Sequence, residues 1–243
     1  MSEKVYGHVR RGILDGLYEP GTALPEHLLA RANGTSRTPV REALSRLMAE
    51  GYVERRGGRG FLVAGFTIKG LNDTFEVRKI VESAAAALAA ERATAEQRRR
   101  LPDLATFKYV VGDHDSYQQA REMNACFHRL VALASQNGLL LELVNHCLNQ
   151  MSRFLALGFH LPNKFWQSAD QEHHLLAAAI AAGDAGEASR VMAQHLEHSN
   201  QLLMEALIDS EAAAAVGCGF PREREGVTAT IPESAAEVSL WIP

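Results

Sequence analysis

Apolar positions recur along the first fifty residues with the spacing of helices rather than strands. Val5, Val9, Ile13, Leu14 and Leu17 form one stripe of 3.6-residue period that stops before Glu19-Pro20-Gly21, which predicts a helix over 4–17. Leu28 and Leu29 supply one apolar face for a short helix over 25–32, closed by Asn33-Gly34, residues that tolerate positive φ. Ser36 stands at an expected N-cap and Pro39 falls in the first turn, where its missing N–H loses no partner. Val40, Leu44 and Leu47 then continue one face until Gly51, so a third helix is predicted over 37–50. Residues 52–56 and 60–63 are short β-prone runs around Gly57-Gly58, the pattern of a hairpin.

Beyond Phe66 the pattern becomes Ala- and Leu-rich, helical and nearly free of strand signals. Helices are predicted over 70–92, 94–109, 114–135, 138–157, 164–182 and 184–208, with Thr94-x-x-Gln97 and Asp184-x-x-Glu187 in the form of capping boxes. Short connections between them predict antiparallel neighbours in a bundle. The predicted fold class is therefore mainly α, a winged helix-turn-helix followed by an all-α antiparallel bundle. Its domains are 1–66, 67–209 and a loosely held tail over 210–243.

Composition narrows the function classes. The 243 residues are 47% hydrophobic and 22% charged, within the range of globular proteins. Cys126, Cys147 and Cys218 form no CxxC pair, and apolar runs such as 84–90 are far short of the ~20 residues of a membrane span. A cytoplasmic protein with reduced thiols and no membrane partner is expected. Net charge is −4, but unevenly spread: residues 1–66 carry ten Lys/Arg against seven Asp/Glu, a balance of +3, and the remainder fifteen against twenty-two, a balance of −7. The cationic part is thus N-terminal, where a polyanion would bind. The chain has no HExxH, no GxSxG and no Gly-rich phosphate loop, so no enzyme is expected.

A third helix followed by a basic-tipped hairpin places base contacts on that helix's polar face, Arg37, Thr38, Arg41 and Ser45. Arginine can present two parallel donors to guanine O6 and N7, while the Ser36 and Thr38 hydroxyls can meet phosphates. Arg55, Arg56 and Arg59 surround a glycine-rich tip able to approach the backbone or the minor groove.

These residues carry a resemblance. Ile13-Leu14-x-Gly16-x-Tyr18-x-Pro20-Gly21-x-x-Leu24, Ser36-Arg37-Thr38-Pro39-Val40-Arg41-Glu42-Ala43-Leu44-x-x-Leu47 and Glu50-Gly51-Tyr52-Val53 resemble the N-terminal domain of the GntR family of bacterial transcription regulators. The resemblance implies a homodimer on double-stranded DNA with a pseudo-palindromic operator, Arg37 and Arg41 at the bases, and Arg59 and Gly60 in the wing near the minor groove. Where FadR-like members direct a cation toward DNA, this chain has His27.

The helical half has its own constellation. Asn124 and His128 are four residues apart and share a helix face, while His173 and His195 each lie eleven residues from Asp184. Antiparallel helices joined at that turn bring both imidazoles to one level, where three histidines and an amide can converge on a divalent ion. His198, three residues on, could support such a site, and His174 points about 100° away from His173. Glu76-Val77-Arg78-x-x-x-Glu82, Asn124-x-x-Phe127-His128, Glu172-His173-x-x-Leu176 and His195 resemble the FCD effector domain of the FadR subfamily. That resemblance implies a divalent metal, zinc or nickel above all, at Asn124, His128, His173 and His195, with a small carboxylate or sugar-acid effector docked on it. The resemblance allows Asp or Asn at the first of these positions, and this chain has Asn124, a neutral and weaker ligand that leaves the ion more positive charge. Arg78 is placed either to clamp an effector carboxylate or to bridge to Glu82 one turn later. A regulator that senses the metal itself is the alternative.

Overall fold

The computed structural model describes residues 1–58, 60–106, 109–110, 113–155 and 163–209, so Arg59, Cys218 and the predicted tail over 210–243 lie outside the described residues. The chain divides into two compact units, one formed by Met1–Gly65 and one that begins at Phe66.

The first unit contains α1 (Ser2–Leu14), α2 (Glu26–Ala32), α3 (Arg37–Ala49) and the strands β1 (Val53–Arg56) and β2 (Gly60–Val63). The strands pair antiparallel with Val53 opposite Val63 and Arg56 opposite Gly60, while the segment before α2 joins β2 through Leu24 N–H to Phe61 O at 2.8 Å. Val5, Val9, Leu29, Val40, Leu44, Leu47, Tyr52 and Phe61 form the core, so the stripes on all three helices face one another. The first helix ends earlier than its periodicity predicts. Gly16 adopts φ 74° and turns the chain, leaving Leu17 62% exposed, while Tyr18 N–H returns to Gly12 O at 3.0 Å and its ring enters the core. A Cβ at Gly12 would collide with that ring. Gly12→Ala is expected to destabilise this unit by about 1–3 kcal/mol, measured as a lower denaturant midpoint of the full chain.

The second unit is α4 (Ile68–Arg92), α5 (Ala95–Ala105), α6 (His114–Ala134), α7 (Gly138–Leu155), α8 (Asn163–Ala182) and α9 (Ala185–Asp209). Thr67 caps α4 by accepting from Gly70 N–H at 2.9 Å. The capping box predicted at Thr94 and Gln97 forms in both directions. At Asp184 only half forms: its carboxylate accepts from Glu187 N–H at 2.9 Å, but its own N–H goes to Ala179 O and the Glu187 side chain goes to Arg190. Helix α4 is the hub, packed on α6, α7, α8 and α9. Its buried Ala85, Ala86, Ala89 and Ala90 carry nothing beyond Cβ, so neighbouring axes can approach closely. The core runs through Phe75, Phe127, Trp166, Leu176, Ile180, Met192 and Leu196. No described helix is long and apolar enough to cross a membrane.

Candidate DNA-reading face and histidine centre

Burying Val40, Leu44 and Leu47 turns the opposite face of α3 outward, and Arg37, Thr38, Arg41 and Ser45 are all exposed there. Ser36 occupies the N-cap with φ −87° and ψ 173°, yet its hydroxyl makes no capping hydrogen bond and stays on the exposed surface. In the hairpin Gly58 and Gly60 hold φ 78° and 75°, a left-handed conformation that a side chain at either position would strain. Arg55 and Arg56 flank its tip, Arg56 with its Nε 2.8 Å from the Glu54 carboxylate. His27 is exposed on α2. One partner in this face escaped the sequence reading. Glu26, in the first turn of α2, accepts from Arg41 Nε at 3.2 Å and from Arg41 Nη2 at 2.7 Å.

In the second unit α6 contributes His128, α8 His173 and α9 His195, and the structure brings all three together, each 2% exposed or less. Their Nε2 atoms converge: His173 to His195 is 3.2 Å and His195 to His128 is 3.3 Å. The outer nitrogens face carboxylates. His128 Nδ1 lies 2.5 Å from Glu82 of α4, and His195 Nδ1 lies 2.7 Å from Glu172 of α8. The Phe127 ring stacks on His173 with centroids 3.9 Å apart, which fixes that imidazole's plane. His198 shares Glu172 at 2.6 Å and reaches Ser168 Oγ at 3.0 Å, while His174 is exposed and meets Thr106 instead.

Electrostatics set the tautomers. Burial opposes ionisation of Glu82, but the Arg78 guanidinium and the His128 imidazole outweigh it and hold the carboxyl at about 2. Glu172 is likewise lowered, its burial outweighed by hydrogen bonds from His195 and His198. Burial pushes His128 down to about 4 and His173 well below the ordinary histidine range. An ionised carboxylate only accepts, so His128 and His195 direct Nδ1–H outward and present Nε2 inward. With both outer nitrogens donating, the Nε2 lone pairs of His128 and His195 face one another at 3.3 Å and repel unless a proton or a cation lies between them.

The donor set fits a divalent ion. Imidazole nitrogens about 2.0–2.1 Å from a tetrahedral zinc stand about 3.3 Å apart, the spacing found here. Asn124, one turn before His128, lines the same cleft as His128 and His195. So do Arg78 and Arg121. Arg78 donates from Nε to Glu82 at 2.6 Å, realising the bridge one turn along α4, yet its buried Nη2 has no hydrogen-bond partner among the described residues. Both sequence options for Arg78 are thus structurally open in one side chain. Arg121 donates to Gln118 and to Ser152 O, each at 3.0 Å, and Tyr117 O–H donates to Leu155 O; the Arg153 side chain lies outside the described residues. No pattern in the sequence points to Glu82 as the partner of His128, and Glu172, adjacent to His173 along the chain, stands behind His195 instead.

Comparison with known proteins identifies the two parts of the chain that carry these residues. The model of bacterial regulatory proteins of the gntR family matches residues 1–63, and the FCD domain model matches residues 73–198, just over half of the chain. The transcriptional regulator LutR of Bacillus subtilis is 31% identical over 216 residues, covering 79% of this chain and 95% of that protein. The Exu regulon transcriptional regulator of Escherichia coli is 28% identical over 225 residues, 85% of this chain and 86% of its own. Two solved structures share the fold at 24% identity, each covering 84% of this chain and 97% of the other: McbR/YncC of E. coli at TM-score 0.66 and a GntR regulator of Rhodococcus sp. RHA1 at 0.69. A basic winged helix-turn-helix, a helical unit with a buried histidine centre, and matches to regulators rather than enzymes lead to one conclusion: this chain belongs to the GntR family of bacterial DNA-binding transcription regulators and carries an FCD effector-binding domain.

Proposed function

We propose that this regulator binds a pseudo-palindromic operator as a homodimer, and that a small carboxylate or sugar acid docks in the helical unit through a divalent ion and changes operator affinity. The observation that carries the reading is the convergence of His128, His173 and His195 at 3.2–3.3 Å with ionised Glu82 and Glu172 behind two of them. His128, His173 and His195 would hold the ion, with Asn124 the fourth candidate ligand, and zinc or nickel suits imidazole donors. Once bound, the ion supplies a Lewis-acidic positive centre for an anionic ligand. The protein's own contributions are distinct. Glu82 and Glu172 orient the imidazoles and raise their basicity. Arg78 lines the cleft and keeps one donor, Nη2, without a partner among the described residues, and a carboxylate bound there would accept from it.

On the DNA side Arg37 and Arg41 would meet base edges, Ser36 and Thr38 phosphates, and the wing around Gly60 the minor groove. Coupling needs a ligand that prefers one arrangement of the protein. The cleft as it stands has room for about 20 Å³, the space of one water molecule, so an organic acid enters only by spreading its walls. Helix α4 lines that cleft through Phe75 and Arg78 and follows directly on the first unit, which gives the displacement a route. A coupling of about 1–3 kcal/mol would change operator affinity about 5–150-fold. The same small volume favours a second reading in which the ion alone is the effector.

Thermal unfolding of the purified chain against a panel of small carboxylic and sugar acids, with zinc or nickel and again after chelation, separates the two. An acid at a hundred times its Kd adds about 2.7 kcal/mol, a rise of roughly 5–10 °C that chelation should abolish. Stabilisation by metal with no increment from any acid selects the metal-sensing reading. Stabilisation by an acid that survives chelation discards the metal-bridged one.

A further inference from the structure

The Glu26–Arg41 pair sets an anion in the exposed face that carries Arg37, Arg41 and Arg55. Glu26 puts a carboxylate into the cationic face, within the fields of Arg41, Arg37 and Arg55, which all lower its pKa. An anion on a surface that meets DNA weakens attraction to every phosphate, whatever the sequence. Nor does an exposed ion pair of this kind add much stability. The geometry suggests what offsets the loss. Glu26 occupies the Nε side of the guanidinium through two hydrogen bonds, at 3.2 and 2.7 Å. The Arg41 side chain nevertheless remains 66% exposed, against 23% for Glu26, so the carboxylate braces the group from behind. What remains free for other partners is the end of the fork, Nη1 and the second Nη2 hydrogen, two parallel donors with the spacing of guanine O6 and N7. A long side chain held this way has already lost the rotamer freedom it would surrender at a base.

We infer that Glu26 is a positioning residue that presents Arg41 end-on to one guanine in each half-site, raising discrimination at that base pair while lowering affinity for arbitrary DNA. The inference rests on the reading that Arg41 meets bases. It makes the pair, rather than Arg41 alone, the specificity determinant of this position.

The test uses the full-length protein and a pool of duplexes with a randomised 20-base-pair core, selected by binding and sequenced. Wild type, Glu26→Ala, Glu26→Gln, Arg41→Ala and the double alanine variant are compared, with poly(dI-dC) as the non-specific duplex. Wild type is expected to select a guanine that Arg41→Ala no longer selects. Glu26→Ala should weaken the preference at that same base pair on the order of tenfold, leave other positions unchanged, and bind poly(dI-dC) several-fold more tightly. Glu26→Gln, which keeps one acceptor oxygen, should fall between, and the double variant should match Arg41→Ala. A Glu26→Ala profile that is unchanged, or weakened equally at all positions, overturns the inference. So does a further loss in the Arg41→Ala background, which would make Glu26 a direct reader of a base. If Arg41→Ala leaves the selected motif intact, the base-reading role of Arg41 falls, and the inference with it.

Discussion

Replacing Arg78 by methionine is expected to destabilise the helical unit by about 3–5 kcal/mol, because it leaves the buried Glu82 charge without its cationic partner. Arg78 and Glu82 are 4% and 1% exposed, and the ion pair between them closes at 2.6 Å. Methionine keeps the apolar stem and removes only the guanidinium, so cavity formation contributes little. The double variant Arg78→Met/Glu82→Gln should recover most of the loss, since the amide oxygen still accepts from His128 Nδ1–H and no charge remains. Chemical unfolding of the full chain in chelator measures both. The pH dependence has a definite sign. In the wild type Glu82 sits below its unfolded value, so its contribution is present above about pH 4.5 and lost as pH falls. Without Arg78, burial raises the carboxyl above that value, and stability is instead lost as pH rises through it. The gap between wild type and Arg78→Met should therefore widen from pH 5 to pH 8. A loss below about 1 kcal/mol, or a double variant no more stable than the single, would show that the buried charge is compensated elsewhere.

Purified wild type should carry one divalent ion per chain by elemental analysis, and the double variant His128→Ala/His195→Ala should carry less than a tenth of that. The variant removes two of three converging imidazoles and keeps His173 and Asn124, too few donors for a closed site. His146→Ala, at an exposed position on α7, should leave the metal content unchanged. Glu172→Gln tests the outer layer. It keeps an acceptor for His195 Nδ1–H but removes the charge, and should weaken metal affinity about 10–100-fold without abolishing it. Full metal content in the double alanine variant, with helix content intact by circular dichroism, would place the ion elsewhere.

Much of this architecture is legible in the order of residues alone, because helices such as α1 and α3 carry their core contacts in their own 3.6-residue period, although α4 buries Arg78 and Glu82 and exposes Val77 and Ile80. The stripe of Val40, Leu44 and Leu47 specifies which face of α3 is buried and thereby which arginines face outward. The equal arms from Asp184 to His173 and to His195 are a statement about level along two helices joined at one turn, and the structure brings those two imidazoles to 3.2 Å. The end of α1 was less legible: Leu17 continues the period, but Gly16 breaks the helix first and Tyr18 takes the core position.

Three contacts have no periodic signature at all. Glu82 meets His128 across 46 residues, Glu172 meets His195 across 23, and Glu26 meets Arg41 across 15. Each depends on how helices cross and which rotamer each side chain adopts, quantities that local propensity leaves undetermined. Local sequence thus determined the elements, the buried faces of helices such as α3 and the level of the histidines. Only tertiary packing decided which carboxylates stand behind the imidazoles and which one braces Arg41, because a helix period specifies a direction from its own axis and not what waits there.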